Sequence, residues 1–177
     1  YILVFMNYRN IIFISFGNFE IVFLESIAQK VERSLFSQIE IKQANIDLSD
    51  FYDMKRNQYN ANLILEHIEQ KYSNDSFKTI GLLNVDLFIP IFTFIFGQAY
   101  LKGRTGIASA FRLQNERYGL NPDNAIFFDR FVKEIIHELG HMFGLIHCYE
   151  PDCVMRSSTY VEEIDQKSMQ LCNTCIE

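Results

Sequence analysis

The chain has 177 residues, within the size of one domain and long enough to bury a real core, with 49% hydrophobic and 21% charged residues. A net charge of −6 and the lack of any basic run argue against a nucleic-acid partner. Residues 1–6 are apolar but too short, and without the basic flank, for a signal peptide. The run 87–96, broken by Pro90, is too short for a bilayer span. The expected setting is soluble and cytoplasmic, with no membrane partner and the chain acting as a monomer.

In chain order, residues 11–16 (IIFISF) form a β-branched and aromatic run ending at Gly17, which suits a strand covered on both faces. Residues 19–36 change to helical period, with Ile21, Leu24, Ala28, Val31 and Leu35 on one face. Residues 38–43 (QIEIKQ) alternate like a half-exposed strand, so the first three elements make a right-handed βαβ unit. A second helix is expected over 57–72, burying Ala61, Ile64 or Leu65, Ile68 and Tyr72. His67 on it reads as a surface residue.

Residues 77–89 read as a third strand in which Gly81 marks a bulge or a close backbone approach. Residues 92–100 and 105–113 look like a strand pair around Lys102-Gly103-Arg104. A helix starting near Asn124 or Asp129 and running to Phe143 turns Phe131, Ile135, Leu139 and Met142 inward. A last helix over 162–171 delivers Cys172 and Cys175.

Three of the four histidines and all four cysteines fall within 137–175. His137-Glu138-Leu139-Gly140-His141, then Gly144 and His147, is the pattern H-E-x-x-H-x-x-G-x-x-H. Positions i and i+4 share a helix face, so His137 and His141 can point at one ion. Gly144 can adopt the positive φ that ends a helix, which lets the chain turn and bring His147 to the same ion. Three neutral nitrogens leave zinc one open tetrahedral position. Glu138 flanks that position and can take a proton from water there.

The cysteines, as C-x₄-C and C-x₂-C, have metal-ligand spacing. In a chain without a secretory signal this favours zinc over disulfides or free thiols.

The histidine motif followed by Met155, with Cys148 directly after His147 and then Cys153, Cys172 and Cys175, resembles the archaemetzincin family of metzincin zinc peptidases. The run from Met155 to Cys172 is slightly shorter than usual in that family. The resemblance implies an α/β fold: a compact single domain with a twisted mixed sheet, mostly parallel with one antiparallel edge strand. It implies residues 1–144 as an N-terminal subdomain carrying the active-site helix, and 145–177 as a short C-terminal one.

It also implies two zinc ions. His137, His141 and His147 would hold a catalytic zinc, and Cys148, Cys153, Cys172 and Cys175 a structural one. Met155 would lie beneath the first metal. An edge strand at Phe96, Gly97, Gln98 and Ala99 would bind a peptide or protein substrate through its backbone.

The expected function is zinc-dependent peptide hydrolysis with Glu138 as general base, by an aminopeptidase or an endopeptidase. The alternative is a two-zinc adaptor whose first zinc is idle. Tyr160 either assists the oxyanion or is an ordinary loop residue. Arg104 or Arg156 could hold a substrate carboxylate, and Glu150, Asp152 or Asp86 a substrate ammonium.

Overall fold

Alternate side chains of strand β1 (Asn10–Phe16) enter two different cores. Ile11 and Phe13 join one cluster, and Ile12, Ile14 and Phe16 the other. A strand buried on both faces needs cover on both. Helices α1 (Ile21–Leu35) and α3 (Asn124–Met142) supply it on the first side, and α2 (Ala61–Tyr72) on the second. The molecule is known from a computed structural model, which describes residues 10–73 and 78–176. The apolar 1–6 segment and the expected strand start at 77 lie outside the described residues.

β1 sits inside a five-stranded sheet with β2 (Gln38–Gln43), β5 (Lys78–Leu83), β8 (Thr105–Ser109) and β7 (Gly97–Ala99), in the order β2-β1-β5-β8-β7. All neighbouring pairs are parallel except the edge pair β7–β8. The mixed sheet with one antiparallel edge is thus the expected one. A small second sheet joins β3 (Tyr52–Asp53), β4 (Gln58–Asn60) and β6 (Leu87–Phe88).

The Phe-rich composition has a clear use between α1 and α3. Phe23 stacks on Phe127 with ring centroids 5.5 Å apart, and Phe19 stacks on Phe131 at 5.8 Å. Partly buried aromatic pairs of this kind stabilise by about 0.5–1.5 kcal/mol beyond the area they cover.

Several boundaries differ from those the periodicity suggested. The second helix starts at Ala61 instead of 57, because Asn60 caps it by accepting from the Asn62 N–H at 3.1 Å. Gly81 marks a close approach and not a bulge: a Cβ there would lie 2.7 Å from the Ile68 methyl on α2, while β5 keeps regular register with both neighbours.

The expected strand 77–89 breaks after Leu83, where Asp86 pairs with Arg112 and its carbonyl accepts from the Tyr59 N–H. The strand expected over 92–100 shrinks to Gly97–Ala99. Arg56 donates to the carbonyls of Phe92 and Thr93, and Gln58 to that of Thr93, holding them in a loop. The strand expected over 105–113 stops at Ser109, where a 3₁₀ turn follows.

The last helix is shorter too. α4 covers Val161–Gln166, and a separate α5 (Asn173–Ile176) carries Cys175. Lys133 ends α4 by donating to the Ile164 carbonyl at 3.0 Å.

Candidate metal centres and active site

α3 begins at Asp123, whose carboxylate accepts from the N–H groups of Ala125 and Ile126 at 3.0 Å each. It ends in the bond pattern that a positive-φ residue permits. Gly144, at φ 100°, donates to His141 O, and Leu145 donates to Gly140 O, both at 2.9 Å. That reversal brings His147 back to the histidines of the helix. The ring centroids of His147 and His141 are 4.9 Å apart, those of His137 and His141 4.6 Å.

One ring nitrogen of each histidine lies within 4.8 Å of the other two. His137 donates from Nδ1 to Val154 O at 2.9 Å, and His141 donates from Nδ1 to Leu145 O at 2.8 Å. Both Nε2 atoms therefore carry lone pairs, and they face one another at 3.1 Å. Two lone pairs so placed repel unless a cation lies between them. The separation is close to the roughly 3.3 Å edge of a tetrahedron with metal–nitrogen bonds of about 2.0–2.1 Å. The donor set fits zinc. Burial also holds His137 well below the ordinary imidazole value, and His141 and His147 below it, so the rings are neutral as ligands require.

The four cysteines converge at the other side of the Met155 turn. Their sulfurs all lie within 4.8 Å of one another, with Cys148–Cys172 at 3.7 Å and Cys153–Cys175 at 3.8 Å. A disulfide needs about 2.05 Å. Four sulfurs at about 2.3 Å from one zinc would be spaced by roughly 3.8 Å. The two clusters are coupled through backbone: Cys148 N–H donates to Met155 O at 3.0 Å, and Val154, whose carbonyl orients His137, is next to Cys153. Met155 is fully buried, and a Cβ on Gly140 would overlap its sulfur, so the bare helix backbone is what admits it.

A cleft of about 280 Å³ opens beside the histidines. Phe96, Gly97, Gln98 and Ala99 form one wall, and Ser157, Ser158 and Thr159 another. Ser109 N–H donates to Phe96 O and Tyr100 N–H to Thr105 O, so the β7–β8 bonds fall at even-numbered β7 residues. Gly97 and Ala99 therefore point their N–H and C=O groups away from β8, along the sheet edge. Glu138 lies directly beneath: a Cβ on Gly97 would sit 2.8 Å from both its Cγ and its Oε1. Burial pushes the Glu138 carboxyl well above its ordinary range, and the neighbouring Glu134 adds to this.

Other residues singled out by the sequence fall elsewhere. Tyr160 is 63% exposed at the start of α4 and does not line the cleft. Arg104, Arg156, Glu150, Asp152 and Asp86 do not line it either; Asp86 is held by Arg112 at 2.5 Å. His67 packs edge-on against Phe51, away from the metal residues. Sequence reasoning missed two charged cleft residues, Glu134 and Lys167. Helical spacing places Glu134 on the Glu138 face, but nothing local marks Lys167, which reaches the site only when α4 docks on α3.

A sequence model of peptidase family M54 matches residues 6–177. The archaemetzincin of Pyrococcus horikoshii is 39% identical over 145 residues, 78% of this chain and 76% of that protein. The crystal structure of the archaemetzincin of Methanopyrus kandleri is similar with a TM-score of 0.81 and 31% identity, over 95% of this chain and 91% of that one. A zinc-dependent peptidase from Methanocorpusculum labreanum is similar with a TM-score of 0.80 and 28% identity, over 93% and 97%.

Fold, motif and relatives together define a zinc metallopeptidase, a hydrolase of peptide bonds. Within that class, the chain belongs to peptidase family M54, the archaemetzincins.

Proposed function

We propose that His137, His141 and His147 hold a catalytic zinc, that Cys148, Cys153, Cys172 and Cys175 hold a structural zinc, and that Glu138 is the general base for peptide hydrolysis. The facing Nε2 lone pairs of His137 and His141 carry this reading. A zinc ion in the histidine site supplies Lewis acidity, polarising a carbonyl and lowering the pKa of water to about 7. Glu138, buried and facing the cleft, takes the proton from the attacking water and returns it to the leaving amine.

An extended substrate lies along β7 and bonds to the outward N–H and C=O groups of Gly97 and Ala99. Of the four residues expected at this rim, Phe96 and Gln98 turn their backbone bonds to β8 instead and serve to hold the edge in place. The cysteine zinc braces the Met155 turn, and residues 145–177 act as the short C-terminal subdomain below the cleft. Cysteines kept as ligands fit a reducing, cytoplasmic setting. No helix among the described residues is long and apolar enough to cross a membrane. An adaptor with an idle zinc would have no use for a carboxylate buried against the metal residues.

The test is cleavage of an undirected peptide mixture by zinc-loaded protein, read by mass spectrometry beside Glu138→Ala. Cleavage that vanishes in the variant supports the reading. Loss of single N-terminal residues defines an aminopeptidase, and internal breaks an endopeptidase. Equal cleavage by both proteins sinks Glu138 as the base.

A further inference from the structure

Glu138 does not stand alone in the cleft wall. Glu134 projects one helical turn earlier from the same face of α3, and its carboxyl adds to burial in pushing that of Glu138 above its ordinary range. They are 5% and 4% exposed, and both line the cleft. Oε2 of Glu138 has no donor among the described residues. Glu134, on the same face of the helix, is placed to set the orientation of that carboxyl.

Lys167 completes the group. It directly follows α4, is 2% exposed, lines the same cleft and is attracted to Glu134 and then Glu138. Its Nζ donates to Arg156 O at 3.0 Å, the carbonyl next to Met155. Its position is fixed by the helix that carries the carboxylates: Arg130 of α3 grips Asp165 of α4 at 2.7 and 2.6 Å. One side chain thus bonds the turn under the histidines and lies in the same cleft as the carboxyl pair.

Stability alone does not explain this arrangement. Replacing buried ion clusters by apolar groups of equal volume is often neutral or stabilising. A buried, charged group at the floor of a reaction cleft is better explained by what it orients.

We propose that Glu134 and Lys167 are positioning residues for the hydrolysis: Glu134 holds the Glu138 carboxyl in one orientation, and Lys167 fixes Glu134 relative to the Met155–Arg156 turn. This rests on Glu138 being the general base. Both act through the general base and not through the β7 edge that binds the peptide, so their loss acts on kcat and spares KM. A displacement of about 1 Å in a reacting group costs on the order of 10²-fold in rate.

The experiment measures kcat, KM and zinc per chain for the zinc-loaded full chain on a peptide it cleaves. The set is wild type, Glu138→Ala, Glu134→Leu, Glu134→Gln, Lys167→Met and the double variant Glu134→Gln with Lys167→Met. Glu134→Leu and Lys167→Met lower kcat by about 10- to 100-fold, with KM within about twofold and zinc unchanged. Glu134→Gln keeps the length and the hydrogen-bonding group, so it recovers most of the loss seen with leucine. The double variant removes both charges together, keeps the interior neutral if a single variant misfolds, and still has a lowered kcat.

Wild-type kcat in Glu134→Leu, in Lys167→Met or in the double variant overturns the proposal. So does a loss confined to KM, or a glutamine variant as impaired as the leucine one. If wild type and Glu138→Ala cleave alike, the general-base reading itself has failed. If Glu138→Ala is inactive while the Glu134 and Lys167 variants are fully active, only the positioning proposal has.

Discussion

Gly97→Ala is a small substitution at a place where the structure leaves no room. The added Cβ would lie 2.7 Å from the Ile107 carbonyl oxygen and 2.8 Å from the Cγ and Oε1 of Glu138. Carbon atoms pack best at about 3.5–4.0 Å, so the methyl needs roughly 1 Å more space. Ile107 is in β8 and bonded into the sheet, so the movable neighbour is the Glu138 side chain. A general base displaced by about 1 Å loses on the order of 10²-fold in rate. If β7 yields instead, overpacking costs about 1–3 kcal/mol. In a chain of this size each kcal/mol lowers the melting midpoint by about 2–4 °C.

The assay is kcat/KM on a cleaved peptide, with zinc content and thermal melting on the same preparation. The expected result is a fall in kcat of about 10- to 100-fold with zinc retained. Activity within about twofold of wild type, at native zinc content, refutes the argument that Gly97 and Glu138 share this space.

Other outcomes follow from the two metal clusters. Cys172→Ser removes one ligand of the sulfur tetrahedron, so the protein loses the structural zinc equivalent and melts lower. Retention of both equivalents would contradict the assignment. His147→Ala is expected to lose the catalytic equivalent alone, since its ring does not contribute to the cysteine cluster; loss of both would show that the sites do not fill independently.

The metal-free protein has a defined acid response. His137, His141 and His147 are held below the ordinary imidazole value by burial, so between that value and their folded values the unfolded chain binds protons that the native chain does not. The three rings' contribution to stability is full above about pH 6.5 and falls as pH drops through that window, while the raised Glu134 and Glu138 carboxyls act in the opposite sense. Melting of chelator-treated protein carrying Glu134→Gln and Glu138→Gln between pH 8 and 5 isolates the histidines, and a midpoint independent of pH would contradict this.

The two candidate metal clusters were legible in the sequence because their geometry is local. Four residues on one helix, then Gly144 to turn the chain, determine where His137, His141 and His147 meet, and short cysteine spacings act the same way. The parallel sheet was legible for a similar reason: residues 11–16 are a β-branched and aromatic run broken only by Ser15, and 38–43 alternate. What the sequence did not show depends on contacts between distant segments. The strand expected at 92–100 is cut short by Arg56 and Gln58, more than thirty residues earlier. The last helix stops at Gln166 because Lys133 donates to Ile164 O. Lys167 carries no local signature, since it reaches the cleft only when α4 docks on α3. Tyr160, left open between an oxyanion role and an ordinary loop position, caps α4 and is exposed.

The most direct measurement is the single-turnover rate of peptide cleavage by wild type and Glu138→Ala, with zinc counted in both. A fall of about 10²- to 10⁴-fold, both zinc equivalents retained, is predicted for the loss of a general base. An unchanged rate at full metal occupancy would contradict the assignment of Glu138 and, with it, the mechanism built on this cleft.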